Sequence, residues 1–351
     1  MSPRQPDPEL IQRAVDLYRK LGSSVKVAHE LKVSEVTVRR WLDSENIPRL
    51  GRHPTSAIEL PSFPDEDIPT EQLIELQCRR FTTRKASHDA HTWFPVKIAE
   101  NRPIGILWFG DPHVDDNGCN WPLLRRHTTL CKKNDGLYGA NIGDTTNNWG
   151  GRLIRLYANQ DSSVKTARRL AEWFMLESGV TWLIWLLGNH DQMGDGGPEV
   201  LAQMAKRGTQ KIVCHDWEAR FRLVFPDGVE CKVFAAHDHP GNSMWNPLHG
   251  QVRAAKFGAG IDLIVAGHKH NWGVSQWEMP EQDLAPLMIR VRGYKHMDDH
   301  ARRLGIQEQE TGQSILTIFN PCAENKIARV LGFVDVEAGV DYLAFLRRRY
   351  K

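Results

Sequence analysis

The sequence predicts an α/β chain in which a region of two packed sheets flanked by helices follows a small all-α module. Three observations predict this. From Ile104 onward, apolar runs alternate with helical stretches, first in a βαβα order and then as mixed strands. Five of those runs end abruptly in short polar blocks, as buried strands do when they deliver side chains at their carboxyl ends. Residues 8–44, by contrast, carry only the 3.6-residue periodicity of helices. At 351 residues two domains are expected. An apolar content of 41% with 25% charged residues is that of an ordinary soluble protein, and a formal net charge of +2 offers no global polycation to nucleic acid. The first residues lack the apolar core of a signal peptide, and no apolar run reaches the length of a membrane span. Six cysteines (78, 119, 131, 214, 231 and 322) form no CxxC pair, which points to reduced structural thiols in a cytoplasmic protein.

The first module spans residues 1–48. Leu10, Ile11, Ala14, Val15, Leu17, Tyr18 and Leu21 recur on one helical face until Gly22 supplies a stop. A second helix is expected over Ser24–Leu31 and a third from the turn at Lys32-Val33-Ser34 to about Ser44. Val27 to Leu42 resembles the helix-turn-helix of recombinases and transposases: Ala28 lets two helices approach, Val33, Val38 and Trp41 seal them, and Ser34 caps the third helix. That leaves Glu35, Val36, Arg39 and Arg40 on the outer face, the positions that would meet base edges and phosphates of DNA. Lys32 stands where such motifs usually have glycine and has to accept a left-handed backbone. Nine Lys/Arg against seven Asp/Glu in residues 1–50 make the electrostatic footprint faint, so a trihelical bundle used for protein contacts is the bland reading.

A linker with five prolines follows over residues 49–70 and its border (Pro48, Pro54, Pro61, Pro64, Pro69), too polar and too Pro-rich to form a core. Residues 71–95 are expected as a connecting helix, with Leu73, Ile74, Gln77, Cys78 and Phe81 packed on the next domain and the arginines in solvent.

The catalytic region is placed at 96–351. Strands are expected at 104–109, 139–142, 182–187, 211–214, 219–225, 230–236, 261–266, 273–277, 287–292, 314–319 and 328–335, and helices at 121–133, 164–177, 198–206 and 340–348. Its centre is Ile-Trp-Leu-Leu-Gly-Asn-His-Asp-Gln, residues 184–192, where an apolar run stops at Gly188 and three metal- or proton-binding groups follow. The other blocks are Asp111-Pro112-His113, Gly143-Asp144 with Asn147, His237-Asp238-His239, and Gly267-His268-Lys269-His270. Singly, each is a turn, a helix cap or a satisfied histidine. Jointly they assemble carboxylate, amide and imidazole groups suited to borderline divalent metals such as Mn, Fe, Zn or Ni, and unlike a thiolate zinc site.

The ordered set Asp111-x-His113, Gly143-Asp144-x-x-Asn147, Gly188-Asn189-His190-Asp191, His237 and Gly267-His268-x-His270 resembles the calcineurin-like metallophosphoesterase superfamily over residues 104–275. That resemblance implies a four-layer αββα sandwich holding two divalent metal ions, Mn foremost and Mg also acceptable. It implies Asp111, His113 and His270 on one ion, Asn189, His237 and His268 on the other, and Asp144 between them. It implies hydrolysis of a phosphoester by a metal-bridged hydroxide, with His190 protonating the leaving oxygen and Asp191 holding the His190 ring. In the fourth block His239 competes with His237 on spacing; His237 is preferred because it directly follows the strand, which leaves His239 to line the pocket. Asn147, Trp149 and Trp245 are further pocket or rim residues, although a tryptophan is first of all a packing residue.

Together these readings describe a phosphoesterase acting on DNA, of a kind phages or mobile elements use, brought to its substrate by the N-terminal module. A phosphatase or cyclic-nucleotide phosphodiesterase with a regulatory N-terminal module is the rival. A DNA-binding regulator with an inactive phosphoesterase fold is disfavoured because no ligand position is lost. No membrane partner is expected.

Overall fold

Side-chain alternation sets the architecture, seen in a computed structural model that describes residues 7–47, 67–193, 196–258, 260–296 and 309–350. The chain divides into two compact units, 1–73 and 74–351. In the first, α1 (Pro8–Leu21), α2 (Ser24–Leu31) and α3 (Glu35–Ser44) share a core of Ala14, Val15, Tyr18, Val27, Ala28, Val38, Trp41 and Leu42. Asp7 caps α1, with Pro at the start of the helix, and Gly22 ends it at φ 62°. Lys32 ends α2 in the left-handed region at φ 53°, and the Ser34 hydroxyl accepts from Thr37 N at 3.1 Å to cap α3. Of the expected linker 49–70, only 67–70 fall among the described residues.

The expected connecting helix 71–95 is shorter. It is α4 (Thr70–His91), and Thr92–Lys97 forms a strand, β1, that the sequence reading missed. Phe94 and Val96 favour extended backbone, and β1 pairs in parallel with β6 (Glu218–Val224), with Trp93 bulged out of register at φ 55°. The packed face expected for α4 is also corrected: no residue of α4 is buried, and Leu73, Ile74 and Phe81 are 41%, 49% and 68% exposed.

Two six-stranded sheets make the body of the second unit. In one, β2 (Ile104–Phe109), β3 (Leu137–Asn141), β4 (Trp182–Leu187) and β5 (Cys214–Asp216) run parallel, and β11 (Ser314–Phe319) and β12 (Val330–Phe333) extend it antiparallel beyond β2. The other has the order β1, β6, β7 (Glu230–Ala236), β8 (Leu263–Ala266), β10 (Leu287–Arg290), β9 (Gly273–Gln276). The sheets face each other across Ile104, Ile106, Trp108, Phe221, Val233, Val265 and Ile289. On β2 the odd partners Leu107 and Phe109 turn the other way, into a second core. That core is covered by α5 (Trp121–Lys133), α6 (Val164–Glu172, prolonged by a π-turn to Glu177), α7 (Gly197–Arg207) and α9 (Val336–Arg349). Phe234, Ile264 and Met288 on the far face of the second sheet pack with Ala255 of α8 (His249–Phe257). The order of layers is helix, sheet, sheet, helix. A fully buried aliphatic side chain such as Ile106 contributes about 1.5–3 kcal/mol.

Boundaries shift where polar residues pair unexpectedly. The strand expected at 211–214 is β5, three residues later, and α9 begins at Val336 because Asp335 caps it through Glu337 N and Ala338 N, both at 3.1 Å.

Candidate metal centre

The polar blocks follow β2, β3 and β4 in one sheet and β7 and β8 in the other, neighbouring parallel strands whose carboxyl ends meet across the interface. The chain turns there at unusual backbone angles. Among the described residues eleven non-glycines have positive φ, and five belong to these blocks: Asp111 (24°), His113 (41°), Asp144 (51°), His268 (68°) and His270 (48°). Each such residue costs about 1–3 kcal/mol, a strain kept where side chains must point at one place. Gly188 lets two blocks touch: a Cβ there would lie 2.6 Å from Asp144 N and 2.7 Å from His237 Cε1.

Main-chain donors fix the carboxylates. Asp111 Oδ2 accepts from His268 N at 2.6 Å, and Asp144 Oδ1 accepts from His190 N at 2.9 Å. Asp111, His113, Asp144 and His237 are buried, whereas Asn189, His190, His268 and His270 are half-exposed and open the centre to solvent. His113, Asp144 and His190 offer ligand atoms within 4.8 Å of one another, and so do Asp144, His237 and His268. Asp144 belongs to both groups. Asp111 lies beside both, its Oδ1 3.7 Å from His237 Nδ1 and its Oδ2 4.0 Å from His270 Nε2. The His270 ring stacks on His113 at 5.4 Å, and Asn189 Oδ1 is 3.0 Å from His237 Nε2. All seven expected ligand residues are thus brought together, and His190 approaches the first group more closely than expected.

These residues fit divalent metal. Both ring nitrogens of His113 and Oδ1 of Asp111 are buried without a hydrogen-bond partner, an omission that costs about 1–3 kcal/mol per group unless something binds them. His237 Nε2 faces Asn189 Oδ1 at 3.0 Å, His268 Nδ1 at 3.1 Å and Asp144 Oδ2 at 3.3 Å. One imidazole nitrogen has a single proton or lone pair and cannot serve three partners; three donor atoms converging on it suit a shared cation. His237 Nδ1 meets the Ile142 carbonyl at 2.9 Å, so it carries the proton and leaves Nε2 directed at the centre, a common support for a metal-binding histidine. The electrostatics call for positive charge. Burial opposes an ionised Asp144, yet His237 and its neighbours hold it well below the usual carboxylate range. Burial likewise opposes a charged His237, and Asp144 outweighs it, raising His237 to about 10. Burial keeps His113 neutral, its pKa well below the usual value. Asp111 is pushed upward by burial.

Two expectations are corrected. Asp191 does not hold the His190 ring: its two oxygens accept from Thr145 N and Gly188 N, each at 2.9 Å, stapling the second block to the third. His190 Nδ1 instead meets the main-chain carbonyl of Asn147 at 2.6 Å, with the edge of Trp149 against its ring at 5.1 Å. His239 does not line an open pocket; it is 1% exposed, with Nε2 on the Val265 carbonyl at 3.0 Å and its ring edge on Phe234. Trp245 is 90% exposed on the loop that Lys269 ties down through the Gly241 carbonyl at 2.8 Å.

The sequence reading also missed the groups that support the blocks. Asn147 is held through its N–H by Asp115 Oδ1 and through its side-chain amide by Asp116 Oδ2, both at 2.7 Å; Gln160 Nε2 reaches Asp115 Oδ2 at 2.8 Å, and Lys295 Nζ lies 3.1 Å from Asp116 Oδ2. Arg290, wholly buried, donates to the carbonyls of Gly267 and Pro247 and to Asp238, tying the fourth and fifth blocks together. Two arginines alternating with apolar residues at the end of a strand, Ile-Arg-Val-Arg-Gly, were the available signal.

No protein-family profile and no curated protein matches the chain. Solved structures similar to it include the NAD nucleotidase of Haemophilus influenzae (13% identity, TM-score 0.36, covering 66% of this chain and 50% of that one). They also include the calcineurin-like phosphoesterase YfkN of Bacillus subtilis (14%, 0.35, 71% and 97%) and a zinc-complexed Vps29 of Entamoeba histolytica (10%, 0.34, 62% and 88%). This chain spans half the length of the nucleotidase. At such identities and TM-scores the likeness assigns no activity.

Proposed function

We propose that the chain is a divalent-metal-dependent phosphoesterase that acts on DNA. The observation that carries this reading is the convergence of Asp111, His113, Asp144, Asn189, His237, His268 and His270 on a strained, cation-seeking centre with a differently held histidine beside it. Asp111, His113 and His270 would hold one ion, Asn189, His237 and His268 a second, and Asp144 both; Mn suits the donor set. Bound there, the ions supply Lewis acidity toward a phosphoryl group and a nucleophile at neutral pH. The chain's own residues do the rest. A carbonyl only accepts, so His190 donates its Nδ1 proton to Asn147, and in the imidazolium a second proton on Nε2 is the one given to the leaving oxygen, which leaves the neutral Nδ1–H ring. Trp149 limits the ring's rotation and excludes water from one side.

DNA as substrate is favoured by the N-terminal unit, in which the outer face of α3 presents Val36 and Arg40. There Arg39 is drawn to Glu35 at 2.5 Å, which leaves Arg40 the freer cation for a phosphate. Tethering such a unit to the centre would raise the local substrate concentration. The test compares metal-loaded protein on bis(p-nitrophenyl) phosphate, p-nitrophenyl phosphate and plasmid DNA, alongside Arg39→Ala/Arg40→Ala. Diester and DNA cleavage lost to chelator, with a raised KM on DNA alone in the arginine variant, is expected. Monoester cleavage only would turn the reading to a phosphatase. Activity that survives chelation would end it.

A further inference from the structure

The faces of α6 and α7 enclose an open groove of about 890 Å³, within the range of ligand sites. Lys165, Arg168, Arg169 and Arg207 line it with a single carboxylate, Glu172. Glu172 is matched to Arg207 at 3.2 Å, whereas Lys165, Arg168 and Arg169 have no carboxylate within ion-pair distance among the described residues and are exposed. These three stand at i, i+3 and i+4 on one helix face, where like charges repel one another in the absence of a polyanion. A smaller pocket adjoins the groove, and Arg168, Val164, Val200 and Met204 line both. That inner pocket reaches Asn148 and Asp191 and is faced by Tyr157. Asn148 donates to the main-chain carbonyl of His190 at 2.9 Å.

We infer that the α6–α7 groove is a track for the phosphodiester backbone of a single nucleic-acid strand, running past Tyr157. The inference rests on the phosphoesterase reading. Lys165, Arg168 and Arg169 would neutralise successive phosphates, and Tyr157 offers an aromatic face on which a base stacks without sequence preference. The occupant is a nucleic acid because three exposed cations beside a matched Glu172–Arg207 pair leave the lining positive, which a polyanion complements. A polynucleotide presents charge repeatedly along that path, and a small ester does not.

The experiment uses full-length, metal-loaded protein and its Lys165→Gln/Arg168→Gln/Arg169→Gln variant, with Arg169→Glu as a single change should the triple variant fold poorly. Fluorescence anisotropy of a labelled single-stranded oligonucleotide, as DNA and as RNA, gives Kd across salt concentrations. Hydrolysis of bis(p-nitrophenyl) phosphate, too short to reach α6, reports the centre separately. The triple variant should bind at least tenfold more weakly, and its salt slope should fall by about 2, three contacts at about 0.7 each. Loss on both strand types, or on one, supports the track and identifies its source. Unchanged Kd and slope overturn it, as would displacement of the oligonucleotide by polyglutamate at equal charge concentration. If wild-type protein binds the strand through these residues yet never hydrolyses the diester, the groove stands and the phosphoesterase reading falls.

Discussion

Replacing His190 with alanine separates a proton donor from a metal ligand. The change removes one hydrogen bond, Nδ1 to the Asn147 carbonyl at 2.6 Å, and one edge contact with Trp149 at 5.1 Å. At about 0.5–1.5 kcal/mol each, the protein should lose about 1–3 kcal/mol of stability and remain folded. The main-chain N–H of residue 190 still donates to Asp144 Oδ1, so the carboxylate shared by both ligand groups keeps its position. Metal content, read by mass spectrometry after desalting, should therefore match wild type, whereas Asp144→Ala should lose both ions. Removing a general acid costs about 10²–10⁴ in kcat, or about 2.7–5.5 kcal/mol of barrier. That loss should shrink when a phenyl leaving group is replaced by p-nitrophenyl, which departs without a proton. Because His190 also stands within 4.8 Å of ligand atoms of His113 and Asp144, the alternative is concrete. Metal loss equal to that of Asp144→Ala, or an equal kcat loss for both leaving groups, would refute the assignment and make His190 a ligand.

Two further outcomes test the packing. Gly188→Ala should abolish metal binding and cost about 1–3 kcal/mol, because its Cβ would sit 2.6 Å from a backbone nitrogen that cannot move; wild-type titration calorimetry and Tm would refute this. The second concerns His127, buried with Nδ1 between Tyr294 Oη at 2.7 Å and Ser314 Oγ at 2.9 Å. Burial, aided by Arg126 and opposed by Glu337, lowers its pKa from 6.5 to about 4. The unfolded chain then takes up the proton first, so this contribution to stability is complete above pH 6.5 and declines as pH falls toward 4, at up to about 1.4 kcal/mol per unit. Urea titrations through that window should show the decline in wild type and a flatter profile in His127→Gln; parallel profiles would contradict the sign.

Much of the centre was legible because metal-binding side chains reveal themselves by type and by where apolar runs stop. Gly188-Asn189-His190-Asp191 after β4 and His237 after β7 needed no knowledge of pairing. Lys32 was legible as a left-handed residue because it stands where helix-turn-helix motifs usually have glycine. What stayed hidden was of another kind. The partner of His190 is a main-chain carbonyl, and every residue has one, so no residue type marks Asn147. Asp191 looked like an orienting carboxylate until tertiary contact turned it toward two backbone N–H groups. β1 was masked by the helix that runs directly into it, with a proline at position 95 and exposed alternate side chains. Asp115 and Asp116 were visible after the first block, but their partners Gln160 and Lys295 lie 45 and 179 positions on.

The centre draws on segments from Asp111 to His270, and no three ligands come from one segment of chain. Such an arrangement has a kinetic meaning. Both sheets must form and dock before the seventh ligand residue arrives, so ions held there would not nucleate folding and would bind only near its end. Their affinity is then linked to the docked sheets alone, by RT ln(1 + [M]/Kd), about 2.7 kcal/mol at a hundredfold excess over Kd. A fragment ending before β8 lacks His268 and His270 and would gain little of that. In this chain the metal would act as a latch on the finished interface, and a newly made polypeptide would remain unlatched until its second sheet closed over the first.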